Sequence, residues 1–365
     1  MNDNKFDRQM MLRCIELASR AKGKTSPNPM VGSVIVVDGK IVGEGFHPAA
    51  GKPHAEVYAL KQAGNLAKNA TVYVNLEPCN HYGRTPPCTE ALIAAKVTKV
   101  VVGTIDPDPR VSGQGIERLK NAGITVIVGV EAEACRRLNE AFIHRVKYKT
   151  PFGIFKYAMT LDGKIAATTG DSAWVTGIES RRWVHRLRSH CDAIIVGGNT
   201  VRQDNPNLTT HGVSDRNPLR IVMSRSLNLP LDRNLWDTSV APTLVFTEPN
   251  NNSDLKSAIS DRGVEIIALD SLSPKQVMEH LYDRGLSSVL WECGGVLAAN
   301  AIADRTVQKL YAFIAPKIIG GNMGYSPIAD FGLTKMNDAL KLDRVNIQKI
   351  DSDFLIEGYL VPTQK

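Results

Sequence analysis

The sequence predicts an α/β protein of two domains, and three observations lead there. Short apolar runs alternate with helix-length patterns along the chain, the rhythm of a layered α/β fold. The length of 365 residues exceeds the roughly 250–300 residues at which a single core stops growing. The rhythm is broken at HRVKYKTPFG (144–153), where charge gives way to Pro151 and Gly153. That break predicts a boundary near residue 148, with domains 1–148 and 149–365.

In the first domain VGSVIVV (31–37), ATVYVNLE (70–77), KVVVGTID (99–106) and ITVIVGV (124–130) read as strands because each is a short apolar run. Between and after them HAEVYALKQAG (54–64), CTEALIAAK (88–96), GQGIERLKNAG (113–123) and EAEACRRLNEAF (131–142) carry helical spacing. The second domain restarts with strand GIFKYAMTL (153–161), helix ESRRWVHRLRSH (179–190) and strand DAIIVGG (192–198). Runs 219–224, 242–248 and 264–270 follow, then helix 273–285 and strands 288–292, 309–319 and 354–361.

Composition excludes several classes. With 43% hydrophobic and 22% charged residues the chain buries a sizeable core and is not disordered. No run of about 18 apolar residues offers a membrane span, and the polar start MNDNKFDRQM lacks the apolar stretch of a secretory signal. A soluble, cytoplasmic protein with no membrane partner is expected. Six cysteines are too sparse for a disulfide scaffold, and Cys79 and Cys88 form the one close pair, which suits metal or catalysis. Residues 1–150 carry 21 basic and 14 acidic side chains, whereas residues 151–365 carry 23 of each. The basic first domain calls for an anionic partner, either nucleic acid or a phosphorylated small molecule.

The strongest chemical signal is His54-Ala55-Glu56 followed by Pro78-Cys79 and Cys88. One imidazole and two thiolates suit zinc, and three protein ligands leave the fourth tetrahedral position to water, as catalytic zinc sites do. Pro53 and Pro87 precede predicted helices, so His54 and Cys88 fall in first turns, where the helix dipole favours thiolate. Glu56, two positions from His54, does not share its helix face and is better placed to shuttle a proton. The pattern H-x-E…P-C-x-x-C marks zinc deaminases. Here its second half is stretched to P-C-x8-C, and the insert NHYGRTPP adds His81 and Arg84. The competing reading is a structural zinc clip with His81 as fourth ligand.

TSPNPMVGSVIV (25–36), HPAAGKPHAEV (47–57) and LEPCNHYGRTPPC (76–88) resemble the RibD family of bifunctional riboflavin-biosynthesis enzymes, and the resemblance runs over nearly the whole chain. It implies a cytidine-deaminase-like α/β/α domain followed by a dihydrofolate-reductase-like α/β domain that uses NADPH. It implies His54, Cys79 and Cys88 as zinc ligands, Glu56 as general acid/base, and Asn28, His47, His81 and Arg84 around the substrate. By residue type Asn28 suits a pyrimidine edge, while His47 and Arg84 suit an anionic group.

In the second domain KYAMTLDGKIA (156–166), GDSAWVTG (170–177), NTVRQDNPNLT (199–209) and ECGGVLAAN (292–300) carry the same resemblance. It places Ala158, Trp174, Thr200, Asp204, Gly294 and Gly295 at the cofactor, and Ser172, Arg188, Leu208 and Glu292 at the substrate. Asp204 is the candidate carboxylate for the reduction. The chain departs from the family pattern at Asn205, where many relatives have a second aspartate, and at His211, often a phosphate-binding arginine.

The implied activity is hydrolytic removal of the 2-amino group of a phosphoribosylated diaminopyrimidine, then reduction of its ribosyl group to ribityl. The expected partner is that phosphorylated small pyrimidine rather than nucleic acid, and the expected assembly a homo-oligomer. A tRNA deaminase with a recruitment domain is the rival reading. Against it, no Lys/Arg-rich run with interleaved aromatics occurs. A third reading makes the second domain a silent scaffold, through Asn205 and His211.

Overall fold

The computed structural model describes residues 2–82, 86–109, 111–249, 253–321 and 325–361. The chain divides into two compact units, Met1–Lys149 and Thr150–Lys365, each built on its own sheet. Among the described residues no helix is long and apolar enough to cross a membrane.

The first unit opens on α1 (Asn2–Ser19), an element absent from the sequence expectation. Its polar start conceals a stripe of Met10, Met11, Cys14 and Leu17 that is buried against Val34, Val36, Tyr73 and Val101. After it come β1 (Gly32–Val37), β2 (Lys40–Phe46), α2 (Ala55–Ala63), β3 (Thr71–Val74), α3 (Cys88–Ala94) and β4 (Lys99–Val102). The unit closes with α4 (Gln114–Asn121), β5 (Thr125–Val128), α5 (Ala132–Leu138) and α6 (Glu140–Tyr148). The predicted helix 131–142 is therefore two helices that meet at Asn139, whose side chain is committed elsewhere.

Sheet order is β2-β1-β3-β4-β5, with β1 antiparallel to both neighbours and β3, β4 and β5 parallel. Successive side chains leave opposite faces. Val34 and Val36 pack toward α1, while Ile35, Val72, Val74, Val100 and Val102 pack with Ala59, Ala63, Leu92 and Leu119. Burial on both faces is why these strands read as unbroken apolar runs. Strand β2, which the sequence reading missed, carries the glycine that seats α2. A Cβ added at Gly45 would lie 2.4 Å from the Ala55 carbonyl oxygen, so only glycine lets the first turn of α2 come this close to the sheet. That contact sets the height of His54 and Glu56.

The second unit runs β6 (Phe152–Thr160), α7 (Ile178–His190), β7 (Ala193–Gly197), α8 (Gly198–Asp204), β8 (Leu219–Met223) and β9 (Thr243–Thr247). It continues with α9 (Ser253–Ser260), β10 (Glu265–Ala268), α10 (Pro274–Asp283) and β11 (Ser288–Trp291). The last elements are α11 (Gly295–Ala303), β12 (Lys309–Ala315), β13 (Leu342–Ile350) and β14 (Asp353–Leu360). Among the described residues nine strands lie in the order β10-β9-β8-β7-β11-β6-β12-β14-β13. All are parallel as far as β12, and β14 is antiparallel to both β12 and β13. Phe155, Ile195, Phe246 and Trp291 anchor the core. The topology puts the carboxyl ends of β7, β11 and β6 side by side, the place where open α/β sheets bind ligands.

Candidate functional site

His54 precedes the first residue of α2, and Cys88 opens α3 directly after Pro87. Cys79 lies on the segment leaving β3, and two backbone bonds tie it to α3. The Cys88 N–H donates to the Cys79 sulfur at 3.3 Å, and the Thr89 N–H donates to the Cys79 carbonyl at 3.2 Å. His54 Nδ1 thereby stands 3.2 Å from Cys88 Sγ and 3.4 Å from Cys79 Sγ, with the three ligand atoms within 4.8 Å of one another. A tetrahedron with bonds of about 2.0 Å to nitrogen and about 2.3 Å to sulfur sets nitrogen and sulfur roughly 3.5 Å apart. The donor set and its spacing fit zinc. Among the described residues no fourth His, Cys or carboxylate joins the cluster, and His81 is exposed outside it, which speaks against a closed structural clip.

Electrostatics of the cluster favour a cation. The Cys88 thiol donates toward the Cys79 sulfur, and with help from His54 it holds the Cys79 thiol down at about 4. Cys88 itself is pushed up by the Cys79 thiolate and by burial. Glu56, on the second residue of α2, is 3% exposed. Burial first, and then the negative charge at Cys79, raise its carboxyl to about 7. A carboxyl that is half protonated near neutrality can both take and return a proton.

Asn28 donates through Nδ2 toward His47 Nε2 at 3.3 Å. The other ring nitrogen of His47 lies 3.0 Å from the Pro53 carbonyl oxygen, so Nδ1 carries the proton and Nε2 accepts from the amide. His47 is 2% exposed, and burial lowers its pKa, which keeps it neutral. This differs from the expectation that His47 offers positive charge to an anion. The ring instead fixes Asn28 and the peptide just before His54, and it packs edge-on to His54 with ring centres 5.6 Å apart. Arg84 lies outside the described residues.

Two asparagines that the sequence reading passed over complete this wall. Asn75 accepts from the Gly32 N–H at 2.7 Å and donates to the Met30 carbonyl at 3.0 Å. Asn139 accepts from the Met30 N–H at 2.8 Å and donates to the same carbonyl at 2.9 Å. Both are buried, and together they pin the backbone two residues after Asn28. A lone asparagine inside the apolar run ATVYVNLE was the available signal.

In the second unit the structure joins two of the predicted residues directly. Arg188 on α7 grips Glu292, just past β11, through Nε at 2.7 Å and Nη2 at 3.0 Å. Lys156 on β6, not anticipated from sequence, reaches the same carboxylate at 3.1 Å. Burial by itself would raise Glu292, but Arg188 and then Lys156 hold its carboxyl well below the usual range. Arg188 also donates to the Thr209 carbonyl at 3.0 Å, which anchors the segment after buried Leu208.

The remaining residues lie on β6 or on segments that follow β6, β7 and β11 in the chain. Thr200 sits within α8 after β7, and Asp204 is exposed at the end of that helix. Asn205, at φ +42°, accepts from the Asn234 N–H at 2.8 Å. Gly294 and Gly295 start α11, and a Cβ at Gly295 would lie 2.7 Å from the Ser326 carbonyl oxygen. Ala158 is half-buried on β6, opposite Phe313 of β12. Ser172 and Trp174 lie on an exposed loop, where Arg181 covers the Trp174 ring at 4.1 Å and Lys317 donates to the Trp174 carbonyl at 2.7 Å. His211 stacks on His185 with ring centres 4.1 Å apart. Burial, and for His185 also His211, lower both imidazoles, so they are neutral at neutral pH.

Residues 4–104 match the family model of the cytidine and deoxycytidylate deaminase zinc-binding region, and residues 151–356 match the RibD C-terminal domain. The chain is 59% identical over 354 residues to the riboflavin biosynthesis protein RibD of Synechocystis sp., covering 97% of this chain and 96% of that protein. It is similar to the solved structure of Acinetobacter baumannii RibD, with a TM-score of 0.88 at 35% identity and coverage of 98% and 99%. It is also similar to a Thermotoga maritima structure described as a diaminohydroxyphosphoribosylaminopyrimidine deaminase and 5-amino-6-(5-phosphoribosylamino)uracil reductase. There the TM-score is 0.86 at 37% identity, and coverage is 98% and 100%.

Proposed function

The chain belongs to the RibD family, a zinc-dependent deaminase joined to an NADPH-dependent reductase in riboflavin biosynthesis, and on that premise we propose its two reactions residue by residue. The first unit hydrolyses the 2-amino group of 2,5-diamino-6-(5-phosphoribosylamino)pyrimidin-4-one, releasing ammonia. The second reduces the ribosyl group of the resulting 5-amino-6-(5-phosphoribosylamino)uracil to ribityl. The observation that carries the reading is the His54, Cys79 and Cys88 cluster, its ligand atoms within 4.8 Å of one another, with the buried carboxyl of Glu56 two residues from His54.

Zinc bound by those three residues supplies Lewis acidity and lowers the pKa of water beside it. Glu56 takes one proton from water as the water oxygen bonds to C2 and delivers it to the amino nitrogen. The C2–N bond breaks, ammonia leaves, and the oxygen stays as the ring carbonyl with its second proton passed to the ring nitrogen. Asn28, oriented by His47, presents its amide to the pyrimidine edge.

NADPH supplies hydride to the second reaction. The bare N–H groups at Gly294 and Gly295 suit a cofactor phosphate. Glu292 stays ionised under Arg188 and Lys156, so it accepts hydrogen bonds from sugar hydroxyls rather than giving protons. Asp204, an exposed carboxylate at the end of α8, is assigned the proton handling. Free thiols at the metal cluster suit a reducing compartment, which supports a cytoplasmic setting. Assembly into a homo-oligomer belongs to the same reading and is tested by the mass in solution.

The decisive experiment follows NADPH oxidation in zinc-loaded protein supplied with the diaminopyrimidine, beside Glu56→Gln. Oxidation that disappears in the variant and returns with the already deaminated substrate establishes both steps and their order. No oxidation from the deaminated substrate would overturn the reductase assignment.

A further inference from the structure

Glu77 precedes the Pro78-Cys79 pair, is 6% exposed, and is not used by the chemistry above. Its carboxylate accepts four backbone N–H groups from one distant segment. Oε2 accepts from Asp106 at 3.2 Å and Gly113 at 3.0 Å, and Oε1 accepts from Gly115 at 2.9 Å and Ile116 at 3.3 Å. Its own N–H donates to the Thr104 carbonyl at 2.9 Å. The turn that ends in α4 is thereby drawn under the metal loop. The approach is so close that a Cβ at Gly115 would lie 2.1 Å from the Pro78 carbonyl oxygen.

The geometry points to Glu77 as a positioning residue that sets where the Cys79 sulfur stands relative to His54 and Cys88. Cys79 is held on its downstream side by α3, through the two bonds from Cys88 and Thr89. On its upstream side the Glu77 N–H bond to the Thr104 carbonyl ties the backbone, and the four-donor grip on the Glu77 carboxylate adds the hold that stops Pro78-Cys79 sliding along the strand direction. A glutamine of the same shape has one oxygen and an NH2, so it opposes two of the four N–H donors with another donor and loosens the grip. Residues that orient metal ligands from behind typically change affinity by roughly 10- to 100-fold when altered.

The inference rests on zinc occupying the three-residue cluster, and its test separates the two claims. Full-length wild type, Glu77→Gln and Gly115→Ala are stripped of metal. Zinc affinity is then measured by competition with a chromogenic chelator, and thiolate-to-metal and ligand-field absorption is recorded with cobalt. Reductase turnover on deaminated substrate is followed in the same samples. Glu77→Gln is expected to bind zinc roughly 10- to 100-fold more weakly, with shifted cobalt bands and unchanged reductase turnover. Gly115→Ala pushes on Pro78 and crowds the Glu77 carboxylate, whose Oε1 would lie 3.2 Å from the new Cβ, while keeping its charge, and it is expected to shift the cobalt bands as well. Wild-type affinity and spectrum in a folded Glu77→Gln overturn the role. If Glu77→Gln unfolds the first unit, Gly115→Ala decides: shifted bands uphold the role, and unchanged bands or unfolding overturn it. Failure of wild type to bind zinc overturns the metal assignment itself.

Discussion

The side-chain amide of Asn28 stands 3.3 Å from Nε2 of His47, while the opposite nitrogen of that ring stands 3.0 Å from the Pro53 carbonyl. One neutral imidazole therefore spans the Asn28 amide and the peptide that leads into His54. His47→Ala removes both bonds and leaves the Pro53 carbonyl without its donor. A net hydrogen bond is worth about 1 kcal/mol, so KM for deamination is expected to rise on the order of tenfold, with a smaller change in kcat. Initial rates of ammonia release check it. An unchanged KM would mean that Asn28 does not depend on His47.

Glu56→Gln keeps the shape of the buried side chain and removes its proton chemistry. Deamination is expected to fall about 10²–10⁴-fold, with zinc content and reduction of deaminated substrate unchanged. Metal analysis beside ammonia release separates this from a loss of zinc.

Chelation of zinc is expected to abolish ammonia release and leave NADPH oxidation intact. It also opens half-exposed Cys79 to iodoacetamide, whereas buried Cys14, Cys135 and Cys191 stay unlabelled. Peptide mapping before and after zinc is restored reads the protection, and labelling of Cys79 that zinc does not block would sink the ligand assignment.

Glu292→Gln leaves Arg188 and Lys156 without their shared anion. Breaking a buried pair from one side costs about 3–5 kcal/mol, which lowers Tm of the second unit on the order of 10 °C. Because the folded carboxyl is held below its unfolded value, its contribution is present above roughly pH 4.3 and is lost as pH falls below that. The gap in Tm between wild type and variant is therefore expected to narrow in acid. Calorimetry across pH checks it, and a gap that widens in acid would contradict the ion pair.

Much of the fold was legible because strands such as β1, β3, β4, β7, β8, β9 and β11 are buried on both faces and so appear as apolar runs of strand length. The elements that escaped lack that signal. Helix α1 begins polar and shows its stripe of Met10, Met11, Cys14 and Leu17 only once a sheet is there to cover it. Strand β2 is interrupted by Gly43 and Gly45, and α8 is a seven-residue turn without an apolar face. Strand β13 is largely exposed along its length, so burial wrote no pattern into it. Asn139 split a predicted helix because its amide serves Met30, 109 residues away.

The sequence by itself determined which atoms this protein brings to chemistry. Imidazole, two sulfurs and a carboxyl at H-x-E…P-C-x8-C are written in residue identity and spacing, which survive any packing. Tertiary structure alone decided their charge and aim. Burial in α2 beside Cys79 raises the Glu56 carboxyl, whereas in a similar interior Arg188 and Lys156 hold that of Glu292 below the usual range. His47 turns from a potential cation into a neutral clamp because burial disfavours its charged form, while its Nδ1–H donates to the Pro53 carbonyl. Protonation depends on solvent access and on neighbours brought close through space, and neither is a property of local sequence.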